Sequence, residues 1–207
     1  MGIITMNTIK NEINKIIEKK NGFSLSETLV ALIIVLLITS AVAGGVNFAS
    51  RQYKKSMLIS ESKVLCSSLR HIIKTELENT GTIKLGEQIS GDQYKLDSFF
   101  SRTYAIKESL CRFYSIDIDD YDNKSVSEDG YGQILLGTVK NGKVIGNLLM
   151  SSASYTSFDL QAKADVSYSK TDSVFHVDLS VCSSAGEELS TSTFDVVPLN
   201  ELIEETE

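Results

Sequence analysis

The chain has 207 residues, of which 42% are apolar and 23% charged, and its formal net charge is −7. That length allows one medium domain or two small ones, with enough apolar residues for a core. The acidic balance argues against nucleic acid as a partner, because phosphate binding needs clustered Lys and Arg.

Residues 1–22 read as a polar leader with Lys10, Lys15, Lys19 and Lys20 against two Glu, so the remainder carries −9. An apolar run then occupies residues 29–46, and residues 28–50 contain no ionisable side chain. A helix over 28–50 is about 34 Å long, enough to cross a hydrocarbon core. Basic residues before it and none within it favour an N-terminus that stays cytoplasmic. A secretory signal is the competing reading, with Ala41-Val42-Ala43 as a loose small-residue cleavage site. That reading has no use for Glu27, a carboxylate at the head of the apolar run. A charge near the bilayer costs several kcal/mol unless it finds a partner, so its presence asks for a function.

The run Lys19-Lys20-Asn21-Gly22-Phe23-Ser24-Leu25-Ser26-Glu27 resembles the processing junction of type IV prepilins and type II secretion pseudopilins. The resemblance covers residues 19–50. It implies that a membrane prepilin peptidase cuts between Gly22 and Phe23 and that Phe23 becomes an N-methylated terminus. It also implies that Glu27, then the fifth residue, serves assembly by pairing with the terminal amine of a neighbouring subunit. An unpaired buried charge is expensive, and such a pair offsets much of the cost. The residues alone equally permit Glu27 to interact with its own helix N-terminus, one turn away. There are departures from the family pattern. Ser26 stands where an apolar residue is usual, and the 22-residue leader is longer than in the commonest subclass. Gly44, followed by Gly45, occupies the position where several subclasses carry a helix-breaking proline. A glycine costs roughly 1 kcal/mol in a helix relative to alanine. The pair reads either as a site of local melting or as a small-residue contact for close helix packing.

Past residue 50 the pattern turns amphipathic. Leu58, Leu65, Leu69, Ile73 and Leu77 form one helical stripe, with Arg51, Lys54, Lys55, Lys63, Arg70 and Lys74 mainly off it. The spacing predicts one helix over 23–78: an apolar anchor and assembly half (23–50), then an amphipathic spine (51–79). Asn79-Thr80-Gly81 is the stop, with Gly81 free to adopt the left-handed terminal conformation.

Residues 80–200 read as a β-rich head. A short helix is expected within 97–110, with Leu96, Phe99, Phe100 and Thr103 on one side. Tyr114, Ile116 and Ile118 alternate with polar residues as a strand. Residues 133–140 and 143–150 flank Asn141-Gly142, a two-residue hairpin signal. Strict alternation from Phe158 to Tyr168, from Phe175 to Val181, and at Phe194 and Val196 predicts further strands. The predicted class is therefore α+β, a long N-terminal helix covering one face of an antiparallel sheet, as in pilin-like proteins. Residues 201–207 read as a solvated acidic tail.

Cys66, Cys111 and Cys182 fit no metal spacing. They read as three separate thiols, with a Cys111–Cys182 bridge as the alternative. His71 and His176 have no adjacent Cys or carboxylate pattern, so surface histidine is the default. The acidic cluster Asp117, Asp119, Asp120, Asp122, Glu128 and Asp129 is a weak calcium candidate. No frame in it places Gly and Glu as an EF-hand loop requires, so a solvated loop is the better reading. No nucleophile–base pair, phosphate loop or cofactor motif is present, so a non-enzymatic subunit without a cofactor is expected. The resemblance implies as partners a prepilin peptidase, other pilin subunits, an assembly platform and the membrane. It implies a single-pass location with the head outside, then a place in an extracellular or periplasmic filament. A surface binding protein held by an uncleaved signal-anchor is the other reading.

Overall fold

The computed structural model describes residues 24–102, 110–117, 126–127, 130–140 and 143–205. Helix α1 spans Leu25–Glu78, 54 residues without a break. No proline falls within it, since the chain's single proline is Pro198. The chain divides into two compact units, Met1–Tyr53 and Lys54–Glu207.

In the first unit the described residues of α1 are exposed on every side. Gly44 and Gly45 lie within the helix, and a Cβ on either would meet nothing within 4 Å. In the second unit, α1 buries Ser62, Leu65, Cys66, Leu69, Ile73, Glu76 and Leu77. These recur at steps of three or four, with Leu65–Cys66 and Glu76–Leu77 as adjacent pairs, the pattern that keeps side chains on one face. The expected stripe is confirmed, with Leu58 half-buried at its start.

Two sheets complete the second unit. The larger is assembled from β1 (Thr82–Ser90), β2 (Gln93–Phe99), β6 (Leu160–Ser169), β7 (Val174–Ser183), β8 (Glu188–Val196) and β9 (Ile203–Glu204). Their spatial order is β8-β7-β6-β2-β1-β9, antiparallel except where β9 joins β1 in parallel. The smaller sheet, order β3-β4-β5, consists of β3 (Arg112–Ile116), β4 (Gln133–Lys140) and β5 (Lys143–Leu148). A short helix α2 (Ser152–Thr156) follows it. Burial of the α1 stripe with Phe99, Phe175, Val177, Leu179, Val181 and Val196 makes one core between helix and sheet. The α+β architecture is the one expected.

Several local expectations are also met. β4 and β5 pair in the register Lys140↔Lys143, which leaves two residues at the connection, as Asn141-Gly142 suggests; those two residues lie outside the described ones. Gly137 sits opposite Gly146. A Cβ on either would approach the facing backbone oxygen to 2.3 Å, so this close pairing needs glycine at both positions. The alternating residues of β6, β7 and β8 bury most of their apolar members as predicted, but Phe158 lies in the turn before β6, which begins at Leu160.

Three expectations are corrected. Residues 93–99 form strand β2, so the helix expected within 97–110 does not begin there; residues 103–109 lie outside the described ones. Leu96 and Phe99 are both buried although three apart, a helix-like spacing. The cause is a bulge: Leu85 pairs with Leu96 but Lys84 with Ser98, so Asp97 is an extra residue that resets the alternation. Second, the acidic tail is not simply solvated. Ile203 and Glu204 extend the sheet beside Thr82 and Ile83, and Lys170 Nζ lies 2.8 Å from Glu204 Oε1. Third, Gly81 is not in the left-handed region, which among the described glycines holds Gly91, Gly130 and Gly186. The α1 C-terminus is closed in part by Asn79 of the expected stop, whose Nδ2 amide donates to Thr75 O at 2.7 Å, and in part from elsewhere. The Leu199 N–H donates to Glu78 O at 2.8 Å, and the Asn200 Nδ2 amide donates to Asn79 O and Thr80 O, each at 3.2 Å. Carbonyls at and just past the helix end are thus satisfied by the segment between β8 and β9, more than 100 residues later in the chain.

Candidate functional site

The start of α1 is a reciprocal cap. The Ser24 N–H donates to Glu27 Oε2 at 2.9 Å, and the Glu27 N–H donates to Ser24 Oγ at 3.2 Å. Serine followed three residues later by glutamate satisfies two otherwise orphaned donors at once, and the carboxylate also meets the positive end of the helix dipole. Glu27 therefore has a local structural role in the single chain. Gly22 and Phe23 lie outside the described residues.

Behind this cap stands a largely apolar surface without a charged residue as far as Ser50. Leu29 is 58% exposed, Leu37 66% and Phe48 65%. Burying one such side chain yields roughly 1.5–3 kcal/mol, and a contiguous patch of this kind on a soluble monomer marks a surface meant to be covered. By length and composition, α1 can cross a membrane.

The head carries a groove of about 250 Å³ where the large sheet forks. β2 and β6 pair only from Gln93↔Ser169 to Lys95↔Ser167. Beyond that the smaller sheet intervenes, through bridges Phe99↔Cys111 and Gly132↔Ala162. Three cations line the gap, Lys95, Arg112 and Lys163, and the last two each stand beside a carboxylate: Arg112 Nη1 lies 3.4 Å from Asp97 Oδ1, and Lys163 Nζ lies 3.0 Å from Asp165 Oδ2. The Arg112 guanidinium also stands 5.7 Å from the Tyr114 ring centre, and Lys163 Nζ 5.9 Å from that of Tyr131. Burial pushes the Tyr114 phenol up, so it stays a neutral donor. The paired charges, the aromatic faces and Lys95 together offer hydrogen-bond donors and acceptors along the groove.

Nothing in the sequence pattern pointed to that groove, because its walls come from three strands far apart in the chain. A second polar set was missed for the same reason. His176 Nδ1 lies 2.6 Å from Asp195 Oδ1, across β7 and β8. The carboxylate that the local pattern lacked is 19 residues away in sequence and directly opposite in the sheet.

Cys66, Cys111 and Cys182 are all buried thiols, so the alternative Cys111–Cys182 bridge is not formed. Burial pushes the Cys66 and Cys111 thiols up, which makes them poor nucleophiles. Asp117 lies just past β3. Asp119, Asp120, Asp122, Glu128 and Asp129 lie outside the described residues, and so does the calcium question they raise. Among the described residues no group of three or more His, Cys, Asp and Glu is arranged to hold a metal ion. Near the end of α1, Glu76 is a carboxylate only 7% exposed, and the Ser101 hydroxyl donates to its Oε2 at 2.6 Å.

No protein-family model, curated protein or solved structure matches the chain.

Proposed function

We propose that the chain is a non-enzymatic structural subunit of a type IV pilus-like filament, either a pilin or a pseudopilin. A prepilin peptidase removes residues 1–22, Phe23 is N-methylated, and the subunit leaves the membrane for a filament built on its apolar helix half. One observation carries this reading. A helical segment without a charge is exposed all round, and a carboxylate heads it in the register of the prepilin junction. A complete head core formed without that segment supports the same reading, since it leaves the apolar half available to partners.

The test is the mass of the N-terminus. Coexpression with a prepilin peptidase should shorten the chain by 22 residues, to a species beginning at Phe23. A bulky or charged residue at Gly22 should block the cut. A mature protein that begins after Ala43 would overturn the proposal.

A second reading has its own support. The local cap explains Glu27 without any neighbour, and the forked groove offers a binding surface. On that reading the chain is a single-pass surface protein with a ligand-binding head, and the N-terminus keeps Met1.

A further inference from the structure

The forked groove combines an apolar floor with polar walls drawn from three strands. Leu96, Phe99 and Val166 line it and are buried. Lys95 and Asp97 stand on β2, Arg112 and Ser115 on β3, and Lys163 and Asp165 on β6. Arg112 and Lys163 are each held by a carboxylate. Lys95 is exposed and has no ion-pair partner among the described residues. The backbone adds a further donor and acceptor. Ala162 exchanges both of its hydrogen bonds with Gly132, so Ala164, two residues on, turns its N–H and C=O the same way. No described strand pairs with Ala164 on that side, because β2 joins β6 only at residues 167–169. Backbone groups in a half-buried position such as this one call for a polar partner.

We infer that this groove binds a sugar carrying one carboxylate, a hexuronate unit of a polysaccharide. The ligand class follows from what the walls reject. A phosphate or sulfate offers mainly acceptors and would face Asp97 and Asp165. An amine offers only donors and would face Lys95, Arg112 and Lys163. An apolar ligand would take both ion pairs out of water without replacing their hydrogen bonds. Sugar hydroxyls donate and accept at once, so they suit the cation–carboxylate pairs and the backbone groups of Ala164. The C–H face of the ring then covers the apolar floor. The single carboxylate meets Lys95, which the two ion pairs leave unbalanced. A volume of about 250 Å³ is below the roughly 300–1,000 Å³ of sites for drug-sized ligands, so it suits one ring. The inference concerns the head alone and is the same whether a filament or an uncleaved anchor carries it.

The test uses the full chain in detergent micelles and titrates it by saturation-transfer NMR. The probes are D-glucuronate, D-glucose, acetate and N-acetylaspartate amide. Glucuronate should bind saturably and glucose roughly fivefold more weakly, whereas acetate and the aspartate amide should not saturate. Lys95→Met should bring glucuronate down to the level of glucose and leave glucose unchanged. Its melting temperature should stay that of wild type, since the Lys95 side chain is exposed. Asp165→Ala separates sugars from simple anions, because it removes an acceptor for hydroxyls together with a negative charge. Both sugars should weaken in that variant while acetate gains. The inference would be overturned by acetate or the aspartate amide binding as tightly as glucuronate, by Lys95→Met matching wild type, or by neither sugar binding saturably. None of these results bears on the cut at Gly22, so the filament reading stands or falls separately.

Discussion

At the scale of single residues, one experiment separates the observed capping role of Glu27 from the assembly role proposed for it. Its carboxylate already accepts from the Ser24 N–H, so loss of the side chain removes a helix cap as well as a charge. Glu27→Ala should still be processed, because the cut lies five residues earlier, yet it should be poorly recovered in filaments. Glu27→Gln keeps an oxygen for the Ser24 N–H and so preserves the cap. Recovery of the glutamine variant midway between alanine and wild type would fit charge pairing; full recovery would assign the whole effect to capping. Asp92 offers a second residue-scale test. It follows Gly91, whose φ of +55° opens the two-residue β1–β2 turn, and ties that turn to the β6–β7 turn. Hydrogen bonds from the Thr171 and Ser169 hydroxyls and the Thr171 N–H hold its carboxyl down at about 2, against 3.8 ordinarily. A carboxyl whose folded value lies below its unfolded one stabilises at neutral pH and loses that contribution as pH falls through the two values. Asp92→Asn should therefore melt lower at pH 7, and the gap from wild type should close between pH 4 and 2. A gap independent of pH would show that the ionised carboxyl is not what the turn uses.

At the scale of elements, the end of α1 depends on residues 199–204 more than on Gly81. The Asn200 amide serves two carbonyls, and a net hydrogen bond of this kind is worth about 1 kcal/mol. Asn200→Ala should lower head stability by roughly 1–2 kcal/mol in denaturant melts. Asn200→Asp should cost more, because it turns an acceptor toward the carbonyls. Gly81→Ala should change stability by no more than about half a kcal/mol. Its φ is not positive, and a methyl there meets nothing within 4 Å. A large loss at Gly81 with none at Asn200 would restore the simpler glycine stop that the sequence suggests.

For the molecule as a whole, the buried core begins at Ser62 and draws nothing from residues before 54. Removing residues 1–53 should leave a soluble head with mixed helix and strand circular dichroism, since a unit with its own core can fold alone. It should elute as a monomer, because the exposed apolar half of α1 is absent from it. Aggregation, or a spectrum dominated by helix, would mean that the apolar half is needed for the head to fold.

Periodicity alone determined the long helix, the change from an all-round apolar surface to a single stripe, and the strands whose apolar and polar residues strictly alternate. These features are local: burial on one face dictates a period, and the period is written in consecutive residues. The run that resembles a prepilin junction is equally local, being nine residues ending at Glu27. Tertiary structure decided what depends on partners distant in sequence. The Asp97 bulge hid β2 by breaking its alternation, and Asn200 replaced Gly81 as the helix stop. Asp195 reached His176 across a strand pair, and the groove arose where separate elements meet. A hydrogen bond or a cavity wall requires proximity in space, and neither leaves a period along the chain.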